Sequence, residues 1–117
     1  MKYFIEPTTK PKISERDTWM KRPSVVKYLA FKDEVKNAGI ELPDHGFKVE
    51  FVLTMPNSWS KKKKDKMQGQ PHMQKPTFNN LTRALSEAVF DDDSQIWNCH
   101  TVKRWGYKGS ISVKGNI

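Results

Sequence analysis

Residues 74–97 read Gln-Lys-Pro-Thr-Phe-Asn-Asn-Leu-Thr-Arg-Ala-Leu-Ser-Glu-Ala-Val-Phe-Asp-Asp-Asp-Ser-Gln-Ile-Trp, and the fold is decided there. Leu81, Ala84, Leu85, Ala88 and Val89 recur at three-and-four spacing, which predicts an amphipathic helix from about Asn80 to Phe90. Arg83 and Glu87 lie off that apolar stripe and can form an i,i+4 ion pair. A polar pair, Asn79-Asn80, precedes the helix. Asp91-Asp92-Asp93 follows it and is the only dense acidic cluster in a chain of net charge +8.

Strands are predicted on both sides of this helix. Ile96 to Trp105 alternates in character, and Gly106-Tyr107-Lys108-Gly109 reads as a hairpin turn into Ser110–Lys114. Phe47–Met55 alternates and then becomes apolar on both faces, the pattern of a central strand, closed by Pro56-Asn57-Ser58. Between the two, Ser58 or Ser60 can cap a short cationic helix through Met67, broken by Gly69 and Pro71. Upstream, Val25, Tyr28, Leu29, Lys32, Val35 and Lys36 predict a helix capped by Ser24 and ended by Gly39 in a left-handed conformation. Tyr3-Phe4-Ile5 reads as an edge strand ended by Pro7, and Thr8 to Pro23 as an extended loop. The order strand, helix, strand, helix, strand, strand predicts one α/β (α+β) domain over residues 1–117, a mixed four-stranded sheet packed with two main helices.

Composition narrows the class of partner. The 21 Lys and Arg against 13 Asp and Glu favour a polyanion through counterion release. The cations are spread over several segments: Lys12, Arg16, Lys21 and Arg22 near the start, the block Lys61, Lys62, Lys63, Lys64 and Lys66, then Lys75, Lys103 and Arg104. Taken alone, the lysine block reads equally as a solvated face. Trp19 can stack on a base or pack under its own loop. The single cysteine, Cys99, excludes an internal disulfide and a Cys-based zinc cage and suits a reducing compartment. No run approaches the roughly 20 apolar residues of a membrane span, and no signal-peptide pattern opens the chain, so a cytoplasmic protein is expected.

Hydrolysis of a phosphodiester needs a hard divalent cation held by carboxylates with open positions for water and phosphate. Asp91, Asp92 and Asp93 have the chemistry, although three successive acids cannot all point one way, and such a triplet alone is most simply a surface turn. The turn Lys75 to Leu81 feeds a helix N-terminus and places Asn79 and Arg83 on one helix face, four residues apart.

These residues, with Gln74-Lys75-Pro76, Asn80-Leu81, Arg83 and Asp92-Asp93-Ser94-Gln95-Ile96, resemble the signature of the RusA-type Holliday junction resolvases, many of them carried by bacteriophages and prophages. Pro11-Lys12, Arg16-Asp17-Thr18-Trp19, Lys21-Arg22-Pro23, Tyr28, Phe31 to Val35, Gly69-Gln70-Pro71-His72 and Lys103-Arg104-Trp105-Gly106 are similar to the phage branch, so the likeness covers nearly the whole chain. The resemblance implies a homodimeric endonuclease of bacterial cytoplasm that uses magnesium, with manganese as an alternative ion, to cut four-way branched DNA. It places the metal site at Asp93, Asp92 and Asn79, with Thr77 and Arg83 completing the catalytic set. The family's pattern has aspartates where Thr77 and Asn79 stand, and a lysine at Arg83. Two acids are therefore missing, which predicts weakened metal affinity and low or absent turnover; Asp92, Glu50 or nothing replaces the carboxylate at Thr77. A non-catalytic protein that binds branched DNA is the alternative.

A helix from Asn80 to Phe90 is roughly 15 Å long, so Asp93 reaches Asn79 of its own chain only if the chain doubles back. Antiparallel packing of two such helices across a dimer axis would instead build each site from two subunits. His72 reads as an exposed loop histidine or a phosphate contact; His45 and His100 carry no constellation.

Overall fold

The computed structural model of the chain describes residues 2–11, 23–43, 46–91 and 96–115. Its organising element is the strand at Phe47–Thr54. Strict alternation buries Phe47, Val49, Phe51 and Leu53 on one face and leaves Lys48, Glu50 and Val52 half-buried on the other. With strand β1 at Lys2–Tyr3, this central strand is β2; β3 spans Cys99–Gly106 and β4 spans Ser110–Lys114. β3 runs parallel to β2 from Phe47↔Cys99 to Thr54↔Gly106, and β4 pairs antiparallel on the other side, with Phe51 opposite Ile111. β1 adds to β4, giving a mixed sheet in the order β1-β4-β2-β3.

Among the described residues three helices complete an α+β domain: α1 (Pro23–Ala38), α2 (Lys61–Met67) and α3 (Phe78–Phe90). α1 contributes Tyr28, Phe31 and Val35, and α3 contributes Leu81, Ala84, Leu85 and Ala88, to one core with the apolar face of β2; Val25 of α1 is buried as well. Each buried Leu or Phe contributes roughly 2 kcal/mol by leaving water, so this face holds the domain together. α2 buries nothing and stands as a cationic surface helix, its start fixed by Ser60, whose hydroxyl accepts from Lys63 N at 3.2 Å. No helix among the described residues is long and apolar enough to cross a membrane.

The central strand, the Ser60 cap and the left-handed Gly39 (φ 68°) match the expectations, and the edge strand expected at Tyr3-Phe4-Ile5 lies at Lys2–Tyr3. Gly39 N donates to Lys36 O, and Ile40 N donates to Val35 O, so α1 ends in a Schellman motif. Other readings are corrected. α1 starts at Pro23, so Ser24 lies inside the first turn rather than capping it, the position proline tolerates best. Phe31, not Leu29, completes the buried stripe of α1. The strand expected from Ile96 begins at Cys99. Glu87 does not pair with Arg83. It faces the N-terminal loop and α1, where Lys10 Nζ donates at 2.8 Å and Lys32 Nζ lies at 3.9 Å.

The hairpin is the largest correction. β3 and β4 are not neighbours, because β2 lies between them. Residues 107–109 step over the end of β2, crossing two inter-strand spacings, about 10 Å, which three extended residues can reach. Glu6 organises this crossing: its carboxylate accepts from Thr54 N at 3.2 Å and from Thr54 Oγ1 at 2.6 Å at the end of β2. A Cβ at Gly109 would collide with that carboxylate and come within 2.9 Å of Glu6 Cα. Gly109→Ala should cost about 1–3 kcal/mol in a urea titration, and Gly115→Ala, whose Cβ would meet its nearest neighbour at 3.4 Å, far less.

Candidate functional site

Thr77 closes the N-terminal end of α3. Its hydroxyl accepts from Asn80 N at 3.4 Å and its carbonyl from Leu81 N at 3.1 Å. The side chain expected at a metal position is thus the helix cap. Asn79 is exposed in the first turn, and Arg83 is exposed one turn on with no ion-pair partner among the described residues. Lys75 is exposed in the preceding turn. This end therefore presents the positive pole of a 13-residue helix beside cations, an arrangement suited to an anion.

Lys103 fixes that turn in place. It projects from β3 on the helix-covered face, in register with Phe51, and its ammonium donates to Gln74 O at 2.7 Å and Pro76 O at 2.8 Å. Burial holds its pKa below the ordinary lysine value. One cation thereby anchors the loop entering α3, and the hydroxyls of Thr82 and Thr101, 3.3 Å apart, join helix to strand nearby. The adjacent Arg104 points to the other face, donating to Gly69 O at 3.0 Å with Nε 3.7 Å from Glu50. Both residues were expected as DNA grips; the structure draws both into contacts within the chain.

His72 corrects the exposed-loop reading. It is 4% exposed, its ring lies 4.2 Å from that of Trp105, and the Trp59 ring packs tilted against Trp105 at 4.8 Å. Its N–H donates to Lys103 O, part of a short antiparallel pairing that also joins Gly69 and Gln70 to Trp105 and so covers the outer edge of β3. Such a ring has little surface to offer a phosphate. The apolar surroundings, and then the charge of Lys103, lower its pKa, and its Nδ1 has no hydrogen-bond partner.

The acidic end of α3 lies far from Asn79. Twelve helical steps separate Asn79 from Asp91, about 18 Å. Asp91 adopts a left-handed conformation at the C-cap (φ 58°) and faces α1. Lys36 donates to its carboxylate at 2.9 Å, and that bond and charge, with Lys32 at 3.9 Å, hold its pKa below the usual carboxylate range. Asp92 and Asp93 lie outside the described residues, as do Lys12, Arg16, Trp19, Lys21, Arg22 and His45. Glu50 does not substitute for an acid at Thr77: it lies on the opposite face of the sheet, paired with Arg104.

The described donors do not fit a divalent cation. No grouping of three or more His, Cys, Asp or Glu that could hold a metal occurs among the described residues. At the start of α3 the oxygens are a capping hydroxyl and a neutral amide, and the nearby fixed charges are positive. On α2, Lys61, Lys62, Lys63 and Lys66 are exposed and Lys64 is half-buried, with Lys63 Nζ 4.2 Å from the Trp59 ring centre. The Lys103 anchor and the Lys10–Glu87 contact escaped sequence reasoning because their partners lie 27 or more residues away.

A family model described as endodeoxyribonuclease RusA matches residues 5–114 of the chain. No curated protein and no solved structure matches.

A group protonated more readily in the unfolded chain than in the folded one withdraws stability as pH falls. His72 contributes nothing adverse above its ordinary pKa of 6.5, and destabilises as pH drops through that value towards its lower folded pKa. The urea midpoint should fall between about pH 7.5 and about pH 5.5, and His72→Phe should shrink that fall. An equal fall in the variant assigns it to other groups.

Proposed function

The chain belongs to the RusA endodeoxyribonuclease family, and on that premise we propose that it binds four-way DNA junctions as a homodimer and cleaves them slowly. The carrying observation is the extent of the match: residues 5–114 include both the turn entering α3 and the Asp92-Asp93 segment. The physical setting agrees. Formal charge is +8, α2 presents lysines without burying one, and the N-terminal end of α3 faces outward with Asn79 and Arg83 exposed.

The roles follow from what each group can offer. The positive end of α3 with Arg83 and Lys75 receives a strand phosphate, and the Arg83 guanidinium stabilises charge that builds on it in the transition state. Lys103 is a positioning residue that holds the turn through Gln74 and Pro76. The lysines of α2, with Lys12, Arg16, Lys21 and Arg22, grip the backbone. The divalent ion used by the family would supply Lewis acidity and a bound water at Asp92 and Asp93. The described half of the site carries no negative charge towards such an ion. Attenuation follows from that charge deficit.

A long, continuous α3 favours sites shared between subunits, with the turn of one chain meeting the acidic segment of another. A second reading, a non-catalytic binder of branched DNA, is favoured by the commitment of the Thr77 hydroxyl to capping.

Nicking of a labelled four-way junction, with magnesium or with chelator, separates the two readings. Asn79→Asp should raise metal-dependent nicking by about two orders of magnitude while leaving junction affinity within a few-fold. Junction binding with no rescue selects the binder, and equal affinity for junction and linear duplex rejects both. Mixing Asn79→Asp with Asn79→Asp/Asp93→Asn should give dimers that nick one strand without paired resolution.

A further inference from the structure

Residues paired in register share a face of the sheet. The β2–β4 register sets Lys48 directly opposite Lys114, and the β2–β3 register sets His100 beside Lys48. This basic row crosses the face turned away from α1 and α3. Like charges opposed across a ladder destabilise the pair. The nearest acid on β2, Glu50, is engaged by Arg104 at 3.7 Å. None of Lys2, Lys48, Lys108 and Lys114 has a carboxylate partner among the described residues. The repulsion is left for an external anion to relieve.

The second observation is aromatic. Phe4, just past β1, lines a cleft with Lys2, Glu50 and Val52 of this face and is 60% exposed, with Lys2 and Lys108 ammonium groups 5.2 and 4.7 Å from its ring centre. The lining of this cleft, of about 300 Å³, includes Arg104, Tyr107 and Lys108 as well as Glu50, whose carboxylate is engaged by Arg104. Tyr107 is half-exposed, and its hydroxyl donates to Asp65, which holds the lysine-rich α2 against the rim. Gly106 keeps the wall open, since a Cβ there would strike Val52.

We propose that this open face binds an unpaired DNA strand, with a base stacked on Phe4 at the cleft and backbone phosphate seated between Lys48 and Lys114. Cations interleaved with exposed rings match a nucleotide, whose base and phosphate need both. An acidic peptide would use the cations and leave Phe4 and Tyr107 without a role. The site lies across the sheet from the turn entering α3, so it goes beyond junction cleavage: it would hold single-stranded DNA exposed where arms part.

The test is the anisotropy of fluorescent oligo(dT) of about ten nucleotides, titrated with the full chain over a range of salt. Phe4→Ala should weaken binding about tenfold. Lys48→Gln/Lys114→Gln should weaken it too, and reduce the slope of log affinity against log salt by about 1.4, two contacts at about 0.7 each. The same double variant should melt at higher temperature without DNA, because the opposed charges are gone. Affinity lost while stability rises marks a ligand site and not a damaged fold. Unchanged oligo(dT) affinity in both variants, or no binding by the parent chain, overturns the proposal. Loss of self-association in the variants with oligo(dT) binding intact overturns it as well and assigns the face to a second copy. Junction nicking after Asn79→Asp is scored separately, so failure there does not alter this result.

Discussion

β2 carries the structure. It is hydrogen-bonded on both sides, to β3 and to β4, and its buried residues Phe47, Val49, Phe51 and Leu53 form the floor on which both long helices pack. Because its side chains alternate, a slip of one residue would exchange this apolar set with Lys48, Glu50 and Val52. The register is therefore fixed by burial, and the placement of every residue on β3 and β4 follows from it. Lys103 reaches the turn before α3 and Arg104 reaches Glu50 because they are adjacent on a strand whose register β2 dictates.

A one-sided sheet results, with two chemically different faces. Under the helices, apolar packing, the Thr82–Thr101 contact and the Lys103 anchor hold the start of α3 still. The other face keeps its charge and exposed rings. At the end of β2 Glu6 satisfies Thr54 N, and along the outer edge of β3 the Gly69–His72 segment satisfies backbone groups that would otherwise invite another strand.

Thr77 and Asn79 set what the start of α3 offers a ligand, a hydroxyl engaged as a helix cap and a neutral amide. The Thr77 hydroxyl accepts a backbone hydrogen bond as a helix cap, a role worth roughly 1 kcal/mol. Asn79, exposed in the first turn, offers a neutral amide and no negative charge to a hard cation. The scaffold tolerates both, since neither is buried. Exposed Arg83 and Lys75 and the positive pole of α3 leave this end suited to an anion.

Much of the fold was legible from local pattern. The period-two run of β2, the three-and-four stripe of α3, the Ser60 cap and the left-handed Gly39 are each set by neighbours within a few residues. So was the resemblance to the family, because a motif is linear. The order of strands was not, since Gly106 to Gly109 reads as a local hairpin while the buried face of β2 gains more by sitting between β3 and β4. Nor was the partner of Glu87, which local spacing assigned to Arg83 and packing of α1 against α3 gave to Lys10 and Lys32. The burial of His72 against Trp105 and the opposition of Lys48 and Lys114 belong to the same kind. The sequence by itself determined which segments are helix or strand and which side of each is apolar, because those depend on backbone periodicity. Only the tertiary structure decided which charges meet, because partners distant in the chain become neighbours only when burial has set the order and register of the sheet.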